Sequence, residues 1–201
     1  MSSLDEDIYL SIKEESSGLY KEKGSKFLSF AFPVATEDYI KGHLTDLRKK
    51  YFDARHHCYA YALGKNQHIY RANDDGEPNH SAGDPILGQI RSKGISDVLV
   101  VVIRYFGGTK LGVGGLITAY KTATQEALDQ AELVEKLVTE DAEFLFTYEV
   151  MNEVMRIVKE YEPQVHNQEF NLQCRLKLRM RSKQAPIITE KLLKAGCTLA
   201  D

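Results

Sequence analysis

The chain has 201 residues, 43% of them hydrophobic and 27% charged. That balance fits one large or two small globular domains with an adequate core. A formal net charge of −3 argues against a strongly basic nucleic-acid binder and leaves room for a local cationic patch. No apolar run approaches the ~18 residues of a membrane span, so no membrane partner is expected. The acidic, polar start Met1-Ser-Ser-Leu-Asp-Glu-Asp does not read as a secretory signal. Three scattered cysteines, Cys58, Cys174 and Cys197, form no Cys-x-x-Cys pair, which points to reduced thiols in the cytoplasm.

In chain order, residues 8–13 and 27–34 read as two strands joined around Ser16-Ser17-Gly18, with Lys21, Lys23 and Lys26 near the second. Thr36 is an N-cap candidate for a helix in which Ile40, Leu44, Leu47 and Tyr51 recur at helical spacing. Residues 57–63 alternate as a strand, with 67–71 as its short partner. Asn73-Asp-Asp-Gly-Glu-Pro78 is a turn-rich loop, and a short helix follows with Pro85 near its first position. Residues 96–106 form a buried strand, and 116–131 an amphipathic helix. Strand 137–148, helix 152–161, a strand after Pro163, a longer strand 169–181, a helix capped by Ser182, and a short final strand complete the chain. The β-α-β-β-α-β order of this last part is the ferredoxin-like arrangement. The expected fold is α+β in two domains, 1–136 and 137–201, carrying charges of −2 and −1.

Between the buried strand and its helix lie five glycines in nine residues: Gly107, Gly108, Gly112, Gly114 and Gly115. A glycine-rich loop opening a helix gathers unpaired N–H groups at the positive end of the helix dipole, which suits phosphates and other anions. Neither established phosphate motif fits. Gly107 and Gly112 have P-loop spacing, but Val113 follows where Lys is needed. Gly112-Val-Gly114-Gly-Leu-Ile117 places isoleucine at the third glycine of the dinucleotide fingerprint. The glycines therefore serve either a tight turn with close helix–sheet packing or an anion or partner site.

Arg55-His56-His57-Cys58 lies on a strand, so His56 and Cys58 share one face and His57 takes the other. That parity disfavours a common metal site, and no cofactor or metal is expected. Asp74, Asp75 and Glu77 read as a solvated turn or as hydrogen-bond partners of the glycine loop. Arg175, Lys177, Arg179 and Arg181 share one strand face while Cys174, Leu176, Leu178 and Met180 share the other. This row is the candidate RNA-binding surface, the alternative being a plain solvated face.

Four blocks then combine: Arg55-His-His-Cys-Tyr-Ala-Tyr, Asp75-Gly-Glu-Pro, Ser81-Ala-Gly-Asp-Pro-Ile-Leu and Arg104-Tyr-Phe-Gly-Gly-Thr-Lys-Leu-Gly-Val-Gly-Gly-Leu. In this order across roughly residues 20–130 they resemble the IMPACT family. Asn79-His80-Ser81 departs from the Gly-Thr common before Ala82-Gly83, and Thr118 stands where many members carry arginine. The resemblance implies a first domain similar to domain 2 of ribosomal protein S5 and domain IV of elongation factor G. It implies a second domain similar to domain V of that factor. Eukaryotic members regulate the translational stress response through a protein partner, and the resemblance carries over no catalytic residues. Two functions are expected in order. The first is a non-enzymatic cytoplasmic binding protein acting near translation on RNA, the ribosome or a regulatory protein, with no DNA sequence specificity. The second is an enzyme of phosphorylated small molecules or nucleotides. The candidate anion- or partner-binding residues are Arg55, His56, His57, Asp75, Glu77, Arg104, Gly107, Gly108, Lys110, Gly112, Gly114 and Gly115. The enzyme reading requires the glycine loop, residues 55–59 and residues 74–77 to converge on one pocket.

Overall fold

The computed structural model describes residues 7–171 and 173–200. The chain forms two compact units, one of Tyr9–Lys136 and one that joins Asp7 and Ile8 to the segment from Leu137 onward. The first unit is built from β1 (Ile8–Ile12), β2 (Ser16–Glu22), β3 (Ser25–Pro33), α1 (Glu37–Lys50), β4 (His56–Leu63), β5 (Ile69–Asn73), α2 (Gly83–Lys93), β6 (Val98–Tyr105), α3 (Gly112–Gln130) and β7 (Leu133–Leu137). Its main sheet is antiparallel with strand order β2-β3-β6-β4-β5, and β1 pairs with β7 in a separate two-stranded sheet.

β6 is central in that order, and both of its faces are covered. That is why its run Val98–Ile103 is apolar without alternation and fully buried. On one face Ile40 and Leu47 of α1 pack against Phe32, Tyr59, Tyr61 and Leu99. On the other, Ile86 and Ile90 of α2 and Leu116, Ala119, Tyr120 and Ala123 of α3 pack against Phe27, Ala60, Val100 and Val102.

Several boundaries differ from those read in the sequence. Ser16-Ser17-Gly18, read as a connection, open a strand that runs Ser16–Glu22. Gly18 lies inside it because α3 runs so close that a Cβ there would meet the Ala127 nitrogen at 2.7 Å. The hairpin turn is instead Lys23-Gly24, both with positive φ (45° and 80°), the pattern of a two-residue turn that suits strand twist. The helix after the glycines begins at Gly112 rather than at residue 116, because its first turn is glycine and carries no apolar periodicity to signal it. The segment read as a strand from residue 137 divides into the end of β7 and a separate strand from Thr139.

The second unit contains β8 (Thr139–Phe146), a single 3₁₀ turn at Tyr148–Val150, α4 (Met151–Tyr161), β9 (Gln164–Phe170), β10 (Cys174–Arg181), α5 (Ala185–Lys194) and β11 (Thr198–Leu199). The sheet order is β11-β8-β10-β9. Val154, Ile157, Ile188 and Leu192 of its helices pack against Phe144, Phe146, Leu176 and Leu178 on one sheet face. Gln184 rather than Ser182 precedes α5 as its N-cap, with Pro186 in the first turn. Among the described residues no helix is long and apolar enough to cross a membrane.

Candidate functional site

The loop after β5 is fixed by its own carboxylates. Asp74 Oδ1 accepts from the Ala82 and Gly83 amides at 2.9 and 2.8 Å, and Oδ2 accepts from the His80 amide at 2.8 Å. This closes the loop onto the start of α2, where unpaired first-turn donors need such an acceptor. Asp75 has φ 43° and reaches the α1 side. Its carboxylate accepts from Arg48 Nη2 and the His57 amide, each at 2.7 Å. Burial works to raise the Asp75 pKa, but Arg48 and the His57 amide outweigh it and hold the group below the usual value. Glu77 turns inward. Its Oε1 accepts from Arg104 Nη1 at 2.7 Å and from the Tyr120 hydroxyl at 2.8 Å. The Glu77 and Arg104 side chains are 4% and 8% exposed. These carboxylates are thus structural ties to α1, β4, α2, β6 and α3 rather than a solvated turn, and among the described residues none of their hydrogen bonds goes to the glycine loop.

Above this buried pair opens a pocket of about 470 Å³ lined by Arg55, His56, Glu77, Arg104, Lys110 and Gly112, with Pro78, Phe106, Leu111, Val113 and Leu116 as its apolar part. The positive end of α3 faces it through Gly112 and Val113. Arg55 and Lys110 are exposed at its rim, and neither forms an ion pair among the described residues. The Arg104 guanidinium lies between the Phe27 and Phe106 rings, 5.5 and 5.6 Å from their centroids. Among the described residues its buried Nε has no hydrogen-bond partner. His56 donates from Nδ1 to the Asp75 carbonyl at 2.8 Å. Cys58, next to it on the same face, donates to the Asp74 carbonyl at 3.0 Å and lies 3.3 Å from the Tyr120 hydroxyl. Burial pushes the Cys58 thiol and the Tyr120 hydroxyl well above their ordinary pKa values, so both stay protonated at neutral pH.

The candidate residues divide. Arg55, His56, Glu77, Arg104, Lys110 and Gly112 line this pocket. His57 and Asp75 lie behind it on the α1 side, where burial and then Arg48 push the His57 pKa down. Gly114 and Gly115 line a separate depression with Tyr20, Glu22, Lys23, Leu111 and Thr118. Gly107 serves the backbone: a Cβ there would stand 1.8 Å from the Gly24 carbonyl carbon. Gly108 and Gly112 have φ of 89° and 73°, which glycine adopts without strain.

The cationic row on β10 is present but crossed by acids. Arg175 pairs with Glu143 at 3.0 Å, Arg179 with Asp141 at 2.8 Å, and Arg181 with Asp7 at 2.5 Å. β8 supplies two of those carboxylates, Asp141 directly opposite Arg179 and Glu143 on the diagonal from Arg175, opposite Lys177. Lys177 alone of the four makes no ion pair among the described residues. Parity along one strand reveals the uniform sign, whereas the compensating sign sits on a strand some 35 positions earlier in sequence.

Three features of this surface were given no place in the site by the sequence. Tyr120 is buried behind the pocket, Phe106 is 57% exposed at its edge, and Lys21 stands directly opposite Lys26 in the β2–β3 ladder. The signal for the lysines was the clustering of three near one strand; for Phe106 it was an aromatic residue next to flexible glycines.

The blocks from β4, the loop after β5 and the β6–α3 connection therefore line a single pocket, and the start of α2 is tied to that loop through Asp74. A family model, the Impact N-terminal domain, matches residues 23–128, more than half of the chain and nearly all of this site. The IMPACT family member YvyE of Bacillus subtilis is 39% identical over 128 residues, 64% of this chain and 59% of that protein. A Thermus thermophilus member is 45% identical over 107 residues, 53% of this chain and 56% of that protein. The match thus spans less than two thirds of either relative. A crystal structure of a protein described as hypothetical covers 96% of each chain with a TM-score of 0.76 at 24% identity, a likeness of fold. With three of the four motif blocks lining one pocket, the fourth tied to it through Asp74, and the family model covering them all, this chain belongs to the IMPACT family.

Proposed function

We propose that the chain is a non-enzymatic cytoplasmic binding protein acting near translation, with the glycine-loop pocket as its contact surface. The observation that carries this reading is the clasp on Glu77. The carboxylate best placed for proton transfer is held by Arg104 and Tyr120. Cys58 is a buried, protonated thiol, while the rim offers apolar surface and cations that make no ion pair among the described residues. Family membership supports the translational setting. The β-α-β-β-α-β order and the sheet order β11-β8-β10-β9 support a ferredoxin-like second domain. The S5-like first domain and the division at 136/137 belong to the same reading.

Co-sedimentation with ribosomes at low salt tests it. Association is expected for the unaltered chain, with loss in Arg55→Glu/Lys110→Glu and retention in Lys177→Glu. Association that ignores salt but is lost in these variants would identify a protein partner in place of RNA, and association that ignores the variants would remove this pocket as the contact surface. No association with ribosomes, RNA or any ribosome-bound protein would sink the reading.

One observation favours a second function. Residues 55–56, Glu77 and the glycine loop do converge on one pocket, as an enzyme of phosphorylated small molecules requires. Phosphate release from a nucleotide panel, abolished by His56→Ala, would establish that alternative.

A further inference from the structure

We infer that single-stranded RNA crosses this protein at Phe106, with one base stacked on the ring and the flanking phosphates held on either side. This deepens the reading above and rests on it, since the translational setting supplies RNA as the polyanion. Two concavities meet at Phe106. One is the glycine-loop pocket. The other, of about 500 Å³, lies at the end of the sheet that α1 leaves uncovered and is lined by Lys21, Lys26 and Tyr105 among others. The ring is thus a ridge with Arg55 and Lys110 on one side and Lys21 and Lys26 on the other.

The charges on this ridge are arranged unlike those on β10. None of the four cations forms an ion pair among the described residues, whereas three of the four on β10 do. Lys21 and Lys26 face each other directly across the ladder, where like charges destabilise a sheet. A polyanion relieves that repulsion and releases its own counterions. An exposed phenylalanine has no burial to gain where it sits, yet its ring is backed by the Arg104 guanidinium at 5.6 Å. A cationic groove with an aromatic platform is how sequence-tolerant single-strand binders are built. A duplex keeps its bases stacked within the helix and cannot offer one to the ring.

The test is fluorescence anisotropy of the full chain with a labelled oligouridylate of about 12 nucleotides, within the site sizes of such grooves. Phe106→Ala, on an exposed side chain, is expected to weaken binding about tenfold. Lys21→Glu/Lys26→Glu should flatten the slope of log affinity against log salt by about 0.7 per phosphate contact removed. Lys177→Glu should change neither, and a duplex of matching length should bind more weakly than the single strand. Circular dichroism of each variant establishes that the fold is kept. Binding untouched by Phe106→Ala and by the lysine pair, or lost in Lys177→Glu alone, overturns this surface while leaving ribosome association standing. Equal binding of polyglutamate, insensitive to Phe106→Ala, overturns it in favour of an acidic protein segment.

Discussion

Gly107 meets Gly24 backbone to backbone, and the hairpin that carries Lys23 and Lys26 is thereby seated against the loop that carries Lys110. A Cβ at Gly107 would come within 1.8 Å of the Gly24 carbonyl carbon and 2.1 Å of the Ser25 nitrogen, whereas one at Gly114 would meet nothing within 4 Å. Backbone cannot step aside as a side-chain tip can. Gly107→Ala is therefore expected to destabilise by about 2–3 kcal/mol. Gly114→Ala is expected to stabilise by about 0.5–1 kcal/mol, because alanine loses less conformational freedom in a helix. Urea unfolding of the two variants measures both. A neutral Gly107→Ala would show that the β2–β3 turn and the glycine loop do not need their close approach.

At the level of the element, the proposed RNA surface on β2 sets binding against stability. Lys21 faces Lys26 across an antiparallel ladder. Lys21→Glu replaces that repulsion with an opposite-charge pair, which is expected to add a few tenths of a kcal/mol of stability while weakening RNA binding. Thermal unfolding and anisotropy on the same variant separate the two effects; a stability loss would refute the cross-strand argument. The strand itself was hidden in the sequence. Ser16-Ser-Gly carries the composition of a turn, and only the nearness of Ala127 explains why a glycine belongs in a strand there. By contrast β4, β6 and α1 were legible, because burial on two faces or one leaves its period in the residue pattern. The site was legible in the same uneven way. Arg55, Glu77 and the glycines announced themselves as motif blocks. The role of Glu77 did not, since its partners Arg104 and Tyr120 lie 27 and 43 residues away. Pairings of that kind come from strand order, which a single strand's pattern does not encode.

Across the whole molecule, buried or tied titratable groups set the pH range in which the fold is stable. Burial and the nearby Arg48 hold the His57 pKa below its ordinary value. The unfolded chain therefore takes up a proton at this residue near pH 6.5 while the folded chain does not, and stability falls as pH drops through that value. Asp7, tied to Arg181, and Asp141, tied to Arg179, have pKa values lowered by those arginines. Their contribution is present above about pH 4 and is lost as pH falls through the folded values. On the alkaline side burial raises the Cys58 thiol, and raises Cys197 to about 11. Unfolded thiols ionise near pH 8.5, so stability falls as pH rises beyond that point. The expected profile of Tm is a plateau between about pH 7 and 8, with a decline on each side. His57→Gln should flatten the limb between about pH 6.5 and 5 and leave the steeper carboxylate-driven fall below it. A wild-type Tm that holds constant from pH 7.5 down to 5.5, measured by differential scanning fluorimetry, would mean that His57 is hydrated in the folded chain. The β4 face against α1 would then be open to water, in conflict with the 4% exposure of that side of the sheet at His57.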